Sequence, residues 1–111
     1  MEGMVVVRKE KALTEELGDG VCRKILARGG KMMMVEVCFD PGAVGVLHTH
    51  PHEQASYILR GSFKVSIDGE EEVLRAGDTF YVSPGILHGV EALEEGVILD
   101  VFTPQREDFT K

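Results

Sequence analysis

Residues 48–54 read His-Thr-His-Pro-His-Glu-Gln and hold three of the chain's four histidines; the fourth is His88. Side chains at i and i+2 of an extended segment share a face, about 7 Å apart. His48 and His50 therefore point the same way. Each can bring an Nε2 within the ~2.1 Å that a borderline metal requires. Pro51 bends the chain after them, and Gln54 can add an amide oxygen. His88 closes the set if its strand lies beside the first. Three neutral imidazoles and one oxygen suit zinc, nickel, manganese, iron or copper, with positions left for water or substrate. A histidine pair at i, i+2 is weak evidence alone, because a histidine in a sheet is more often solvated or satisfied by a hydrogen bond.

The choice of Gln at position 54 has a consequence. A carboxylate ligand brings one negative charge to a metal, and an amide brings none. An ion on His48, His50, Gln54 and His88 would keep its full +2 and would acidify substrate oxygens more strongly. Weaker metal affinity is the expected cost. His52 would share the ligand face in a straight strand, but Pro51 intervenes, so it is read as orienting a neighbour or lining the site's mouth. Glu53 has the opposite strand parity and should point away.

A second group lies near the end of the chain, in "LDVFTPQRED" at 99–108. Asp100 and Phe102 share one strand face, and Leu99 and Val101 take the other. A carboxylate amid "VILDVF" is costly to bury unpaired. Either the strand lies at an edge and Asp100 is solvated, or Asp100 looks into the metal's cavity as an acid/base group. Arg106 follows Pro104. Its fork suits a substrate carboxylate, or else it is a tail charge paired with Glu107 or Asp108. Arg60 is a weaker candidate for the same carboxylate.

Strands must position these residues. The chain has 111 residues, 43% hydrophobic, with 13 Gly against 4 Pro, enough for one domain over 1–111. "VVV" at 5–7 reads as a first strand, and 9–20 as a polar loop. Gly29-Gly30 joins strands at 21–27 and 31–39. In the second of these, Met33, Val35, Val37 and Phe39 share a face, which makes the methionines core filling. A loop is expected at 40–45. Further strands follow at 55–61, 62–67, 70–75, 79–82, 87–92 and 96–102, with an Asp68-Gly69 hairpin turn among them. A strand about every ten residues, and no long helix, predicts a small antiparallel sandwich or barrel.

The net charge of −7 argues against a nucleic-acid backbone or anionic membrane as partner. It leaves small anionic substrates open. No apolar run approaches the ~20 residues of a membrane span. The start, "MEGMVVVRKE", lacks signal-peptide character, so a cytoplasmic location is expected. Cys22 and Cys38 fall on neighbouring strands and read as free thiols rather than a disulfide.

The glycine framework makes the histidine pattern specific. It runs Gly42, five residues, His48-x-His50, three residues, Gln54, six residues, Gly61; then Gly77, five residues, Ser83-x-Gly85, two residues, His88. This resembles the two motifs of the cupin superfamily over roughly residues 35 to 102. Gln54 stands where cupins usually have a metal-binding Glu, Ser83 where they have Pro, and Ala92 where they often have Asn. With "LDVFTPQRED", the chain resembles the pectin-degradation subfamily, whose motif residues match at His48, His50, Gln54, His88, Asp100, Phe102 and Arg106.

The resemblance implies an all-β double-stranded β-helix, a jelly-roll barrel of six to eight strands with the site inside. It implies one divalent ion, zinc, nickel, manganese or iron, on a three-His, one-Gln site. It implies conversion of 4,5-unsaturated monouronates, small anionic sugar acids from pectin or alginate, to linear keto-uronates. Asp100 would move the proton, Arg106 hold the carboxylate and Phe102 shape the pocket. It also implies a homodimer paired through the strand around Val5 to Val7. Two other classes stand beside this reading. An oxidative, dioxygenase-type cupin would need a redox metal and oxygen uptake. A non-catalytic metal- or sugar-binding module would hold a ligand without turnover.

Overall fold

A computed structural model describes residues 3 to 110. Ten strands form two antiparallel sheets. They are β1 (Leu13–Gly18), β2 (Val21–Gly29), β3 (Met32–Phe39), β4 (Val44–His48), β5 (Glu53–Arg60), β6 (Ser62–Ile67), β7 (Glu70–Arg75), β8 (Thr79–Val82), β9 (His88–Ala92) and β10 (Gly96–Thr103). The larger sheet runs β1-β2-β3-β10-β5-β8 and the smaller β4-β9-β6-β7. The two face each other as the expected jelly roll, with ten strands rather than six to eight.

Strand alternation decides what lies between the sheets. Met33, Val35 and Phe39 are buried on β3, as are Ile58 on β5, Phe63 and Val65 on β6, and Ile98 and Phe102 on β10. Phe39 and Phe63 meet edge to face across the gap, ring centroids 5.1 Å apart. Each fully buried aromatic of this kind contributes about 3 kcal/mol over leaving it in water. Turn chemistry fixes the register. Asp68 and Gly69 both take positive φ, 52° and 84°, the conformation a tight hairpin with the right twist needs. Gly61, between β5 and β6, has φ +84°, and a Cβ there would collide with the Glu95 carbonyl.

The N-terminal expectations need correction. Residues 5–7 form no strand, and Val5, Val6 and Val7 are exposed. An apolar run needs a partner edge to become a strand, and among the described residues this one pairs with none. The segment 9–20 is not simply a loop. It holds a 3-10 turn at Lys9–Lys11 and β1, which pairs with β2 through Leu13↔Ile25 to Gly18↔Val21. Every β1 residue is exposed, so no buried face left a periodic signal. β4 begins at Val44, inside the expected 40–45 loop.

Cys22 and Cys38 lie directly opposite each other on β2 and β3, and both thiols are free. Burial and the neighbouring Cys22 sulfur push the Cys38 thiol up to about 11, which keeps it in the unreactive thiol form. No helix among the described residues is long and apolar enough to cross a membrane.

One glycine links fold to site. β9 lies between β4 and β6, and its first residue, His88, pairs with His48 of β4 and with Ile67 of β6. At the next position, Gly89, an added Cβ would lie 2.8 Å from the Gly45 carbonyl oxygen and 3.1 Å from the Leu47 nitrogen. Gly89→Ala should therefore push β4 from β9, destabilise the fold by about 1–3 kcal/mol and weaken metal binding. Denaturant unfolding and metal titration of the variant check this.

Candidate metal centre and its cavity

His48 ends β4, His50 lies in the bend beyond it, Gln54 is the second residue of β5, and His88 opens β9. The expectation that His48 and His50 share one strand is thus only half right: the strand stops at His48. The bend at Pro51 and His52 does the converging. Ligand nitrogens of His48, His50 and His88 lie within 4.8 Å of one another. The His88 ring sits 4.4 Å from that of His48 and 4.7 Å from that of His50, centroid to centroid.

Hydrogen bonds assign the tautomers. Nδ1 of each ring faces a backbone carbonyl: Val46 O at 2.8 Å for His48, His52 O at 3.1 Å for His50, and Ile86 O at 2.9 Å for His88. A carbonyl only accepts, so each Nδ1 carries the hydrogen. Each neutral ring then offers a bare Nε2, the arrangement that prepares histidine as a metal ligand. Burial holds His50 and His88 below the ordinary histidine value, aided by the neighbouring histidines and Arg106, and for His50 it outweighs the Gln54 contact, which acts in the other direction. Extra protons on these rings are opposed.

Gln54 is oriented as strictly. Its Nε2 donates to Ser56 Oγ at 2.9 Å and to Asp100 Oδ1 at 3.3 Å. That leaves Oε1 aimed at His50 Nε2, 3.0 Å away. Two lone-pair acceptors thus face each other in a buried place. His88 Nε2 is buried with no hydrogen-bond partner. Such groups are costly unless something electron-poor sits among them. A divalent cation fits this donor set; a further proton does not, because the site resists positive imidazole.

Asp100 stands behind Gln54. Ser56 donates to Asp100 Oδ1 at 2.6 Å. Burial pushes the carboxyl up to about 6 despite the Ser56, Arg106 and Gln54 contacts that favour its charged form. β10 lies between β3 and β5, so the edge-strand alternative for Asp100 is excluded. Asp100 lines a cavity of about 330 Å³ between the sheets, together with His48, Gln54, His88, Phe102 and Arg106. Phe102 packs its ring edge-on to His50, centroids 5.7 Å apart.

Arg106 folds back, is buried, and lines the cavity. It also makes the tail pair, donating Nε and Nη2 to the Asp108 carboxylate at 3.1 and 2.9 Å. Arg60 is misplaced by the sequence reading. Its side chain is 65% exposed and pairs with Glu95, although it shares parity with Gln54, Ser56 and Ile58, because the pairing of β5 with β10 shifts register between Ile58 and Arg60. His52 stays outside the three-histidine group and supplies the carbonyl that fixes His50. Glu53 is exposed, opposite in parity to Gln54.

Sequence reasoning missed three residues here. Ser56 shares strand parity with Gln54, a signal that was available. Arg23 of β2 shares parity with the inward Val21 and Ile25. Phe109, in a 3-10 turn at Glu107–Phe109, left no signal.

The cavity, the histidine trio and the facing sheets define a class. A family pattern described as "Cupin domain" matches residues 35–102, and the chain belongs to that family. Among particular relatives, it is 47% identical over 97 residues to the pectin degradation protein KdgF of Dickeya dadantii, covering 86% of this chain and 88% of that protein. The solved structure of KdgF from Halomonas sp. superposes with a TM-score of 0.91 at 35% identity, over 96% of this chain and 99% of that one. An RmlC-like cupin from Shewanella frigidimarina gives 0.91 at 39% identity, over 96% of each chain.

The raised Asp100 value carries a stability prediction for chelator-treated protein. A carboxyl lifted in the folded state takes up protons on folding, so Asp100 costs stability progressively as pH rises from its unfolded value of 3.8, and fully above about pH 6. Asp100→Asn keeps the shape without the charge. It should raise stability at pH 8 by roughly 2–3 kcal/mol, on the order of 10 °C in Tm. The gain should fall by about half at pH 5 and vanish only below about pH 4, as read by thermal unfolding across this range.

Proposed function

We propose that the chain is a metal-dependent enzyme, one cupin domain over 1–111, that acts on small sugar acids. It opens and ketonises 4,5-unsaturated monouronates released from pectin or alginate. The observation that carries this reading is the placing of Asp100. One carboxylate oxygen is anchored by Ser56 and Gln54, while the residue lines the cavity that His48, His88 and Arg106 also line. The similarity to proteins named for pectin degradation supports the same choice.

The chemistry asks little of the protein. The substrate is a cyclic hemiacetal whose ring oxygen sits on a carbon–carbon double bond. Removing the proton of the anomeric hydroxyl lets the bond between the anomeric carbon and the ring oxygen break. An aldehyde and an enolate result. Proton delivery to carbon 4 turns the enolate into a ketone. No electron or atom is gained or lost. One carboxyl with a value near neutrality suits both transfers, accepting first and donating second. Asp100 fills that role, and Arg106 holds the substrate carboxylate with the Nη1 group that Asp108 leaves free. Phe102 closes the apolar side of the cavity. A divalent ion on His48, His50, Gln54 and His88 would supply Lewis-acid polarisation of substrate oxygens, undiminished by ligand charge. Its identity, among zinc, nickel, manganese and iron, is left open by this donor set. A homodimer in the cytoplasm remains the expected setting.

The test is loss of the unsaturated-uronate ultraviolet absorbance on adding metal-loaded protein. Wild type should accelerate it. Asp100→Asn should slow it by roughly 10²–10³-fold with metal content unchanged. Equal rates for the two proteins, or no acceleration by wild type, would sink the proposal. Oxygen consumption with an iron-loaded sample would favour an oxidative cupin instead.

A further inference from the structure

The cavity holds a second guanidinium that the chemistry above leaves unused. Arg23 of β2 has a side chain 15% exposed and lines the same cavity as Arg106. The two arginines are arranged alike. Arg23 donates Nε and Nη2 to Glu15 Oε1 at 3.1 and 2.8 Å, as Arg106 does to Asp108. Each keeps its Nη1 group, with two N–H donors, outside its carboxylate pair.

Phe109 joins them. Its ring centroid is 3.7 Å from the Arg23 guanidinium carbon and 4.2 Å from that of Arg106. Approach that close is possible only over a ring face, because the ring's own atoms block the plane. Two planar cations do not share one face, so Phe109 separates them, and the ring quadrupole holds both. Phe109 in turn stands edge-on to Phe102, centroids 5.9 Å apart. The 3-10 turn is thereby tied to the cavity wall. Among the described residues, Asp100 is the one acidic residue lining this cavity, against the two arginines. Two cations kept on either side of one ring, each already balanced on one edge, offer two separate sets of donors to one bound sugar acid.

We propose that Arg23 is a second substrate-binding residue, which takes a polar oxygen of the sugar acid on one side of Phe109 while Arg106 holds its carboxylate on the other, and that Phe109 sets their spacing. This rests on the reading that the cavity takes a small sugar acid. It differs from a purely structural role, in which Arg23 only ties β2 to Glu15 of β1.

The test uses full-length metal-loaded protein, with two readouts. Turnover is followed on the unsaturated monouronate. Binding is followed by calorimetry with D-galacturonate, a saturated uronate that lacks the reactive double bond. Arg23→Met should raise KM and the galacturonate Kd by roughly 10-fold or more, with a smaller effect on kcat, and Arg23→Lys should recover part of the loss. Glu15→Gln breaks the strand pair but keeps the guanidinium, and should leave both constants within about threefold. Unchanged KM and Kd in Arg23→Met would overturn the inference. So would a Glu15→Gln variant that reproduces the Arg23→Met effect. If wild type binds galacturonate but turns nothing over, the catalytic reading fails, and a weakened Kd in Arg23→Met still supports Arg23. If wild type neither binds nor turns over, both fall.

Discussion

Two electron pairs that face each other 3.0 Å apart, on His50 Nε2 and Gln54 Oε1, set the terms for the rest of the site. Left alone, that contact is repulsive and buried. It persists because each partner is tied from behind. The His52 carbonyl holds His50, and Ser56 with Asp100 holds the Gln54 amide. His48 and His88 are anchored in the same way, through Nδ1 to carbonyls two residues before them. The fold thus spends local backbone geometry on keeping lone pairs convergent. A cation is the natural resolution, since burial and Arg106 oppose added protons on His50 and His88.

The amide at position 54 does two things that a carboxylate would not. It leaves the ion's charge undiminished, and its Nε2 donates to Asp100, which a carboxylate cannot do. Metal ligand and acid/base candidate are therefore joined through one side chain, with Ser56 bracing the joint. A Glu at 54 would instead set two carboxylates against each other behind the histidines. The choice of Gln and the presence of Asp100 are two parts of one arrangement.

Much of this was legible in the sequence, and the failures share a cause. Inward strand faces announce themselves by alternation, so β2, β3, β5, β6 and β10 and the cavity side of Asp100 and Phe102 could be read directly. β1 could not, because it presents no buried face. Glu15 was missed with it, and so was the ion pair that steadies Arg23. The apolar run at 5–7 misled for the opposite reason: hydrophobicity without a partner edge makes no strand. Arg60 was named as a weaker candidate; its parity is the inward one, and only the register shift near the end of β5 turns it outward. Contacts between remote segments, such as Phe109 between two arginines, carry no one-dimensional trace.

The account stands on one geometry: His48, His50, His88 and Gln54 converge on a single ion while Asp100 stays unbound, tethered to Gln54 and Ser56. Anomalous diffraction from crystals of metal-loaded protein measures this directly. The predicted result is one ion per chain, within about 2.0–2.3 Å of the three Nε2 atoms and of Gln54 Oε1, with Asp100 outside the coordination shell. An ion ligated by Asp100, a Gln54 amide turned away from it, or no ion at saturating metal would contradict the account.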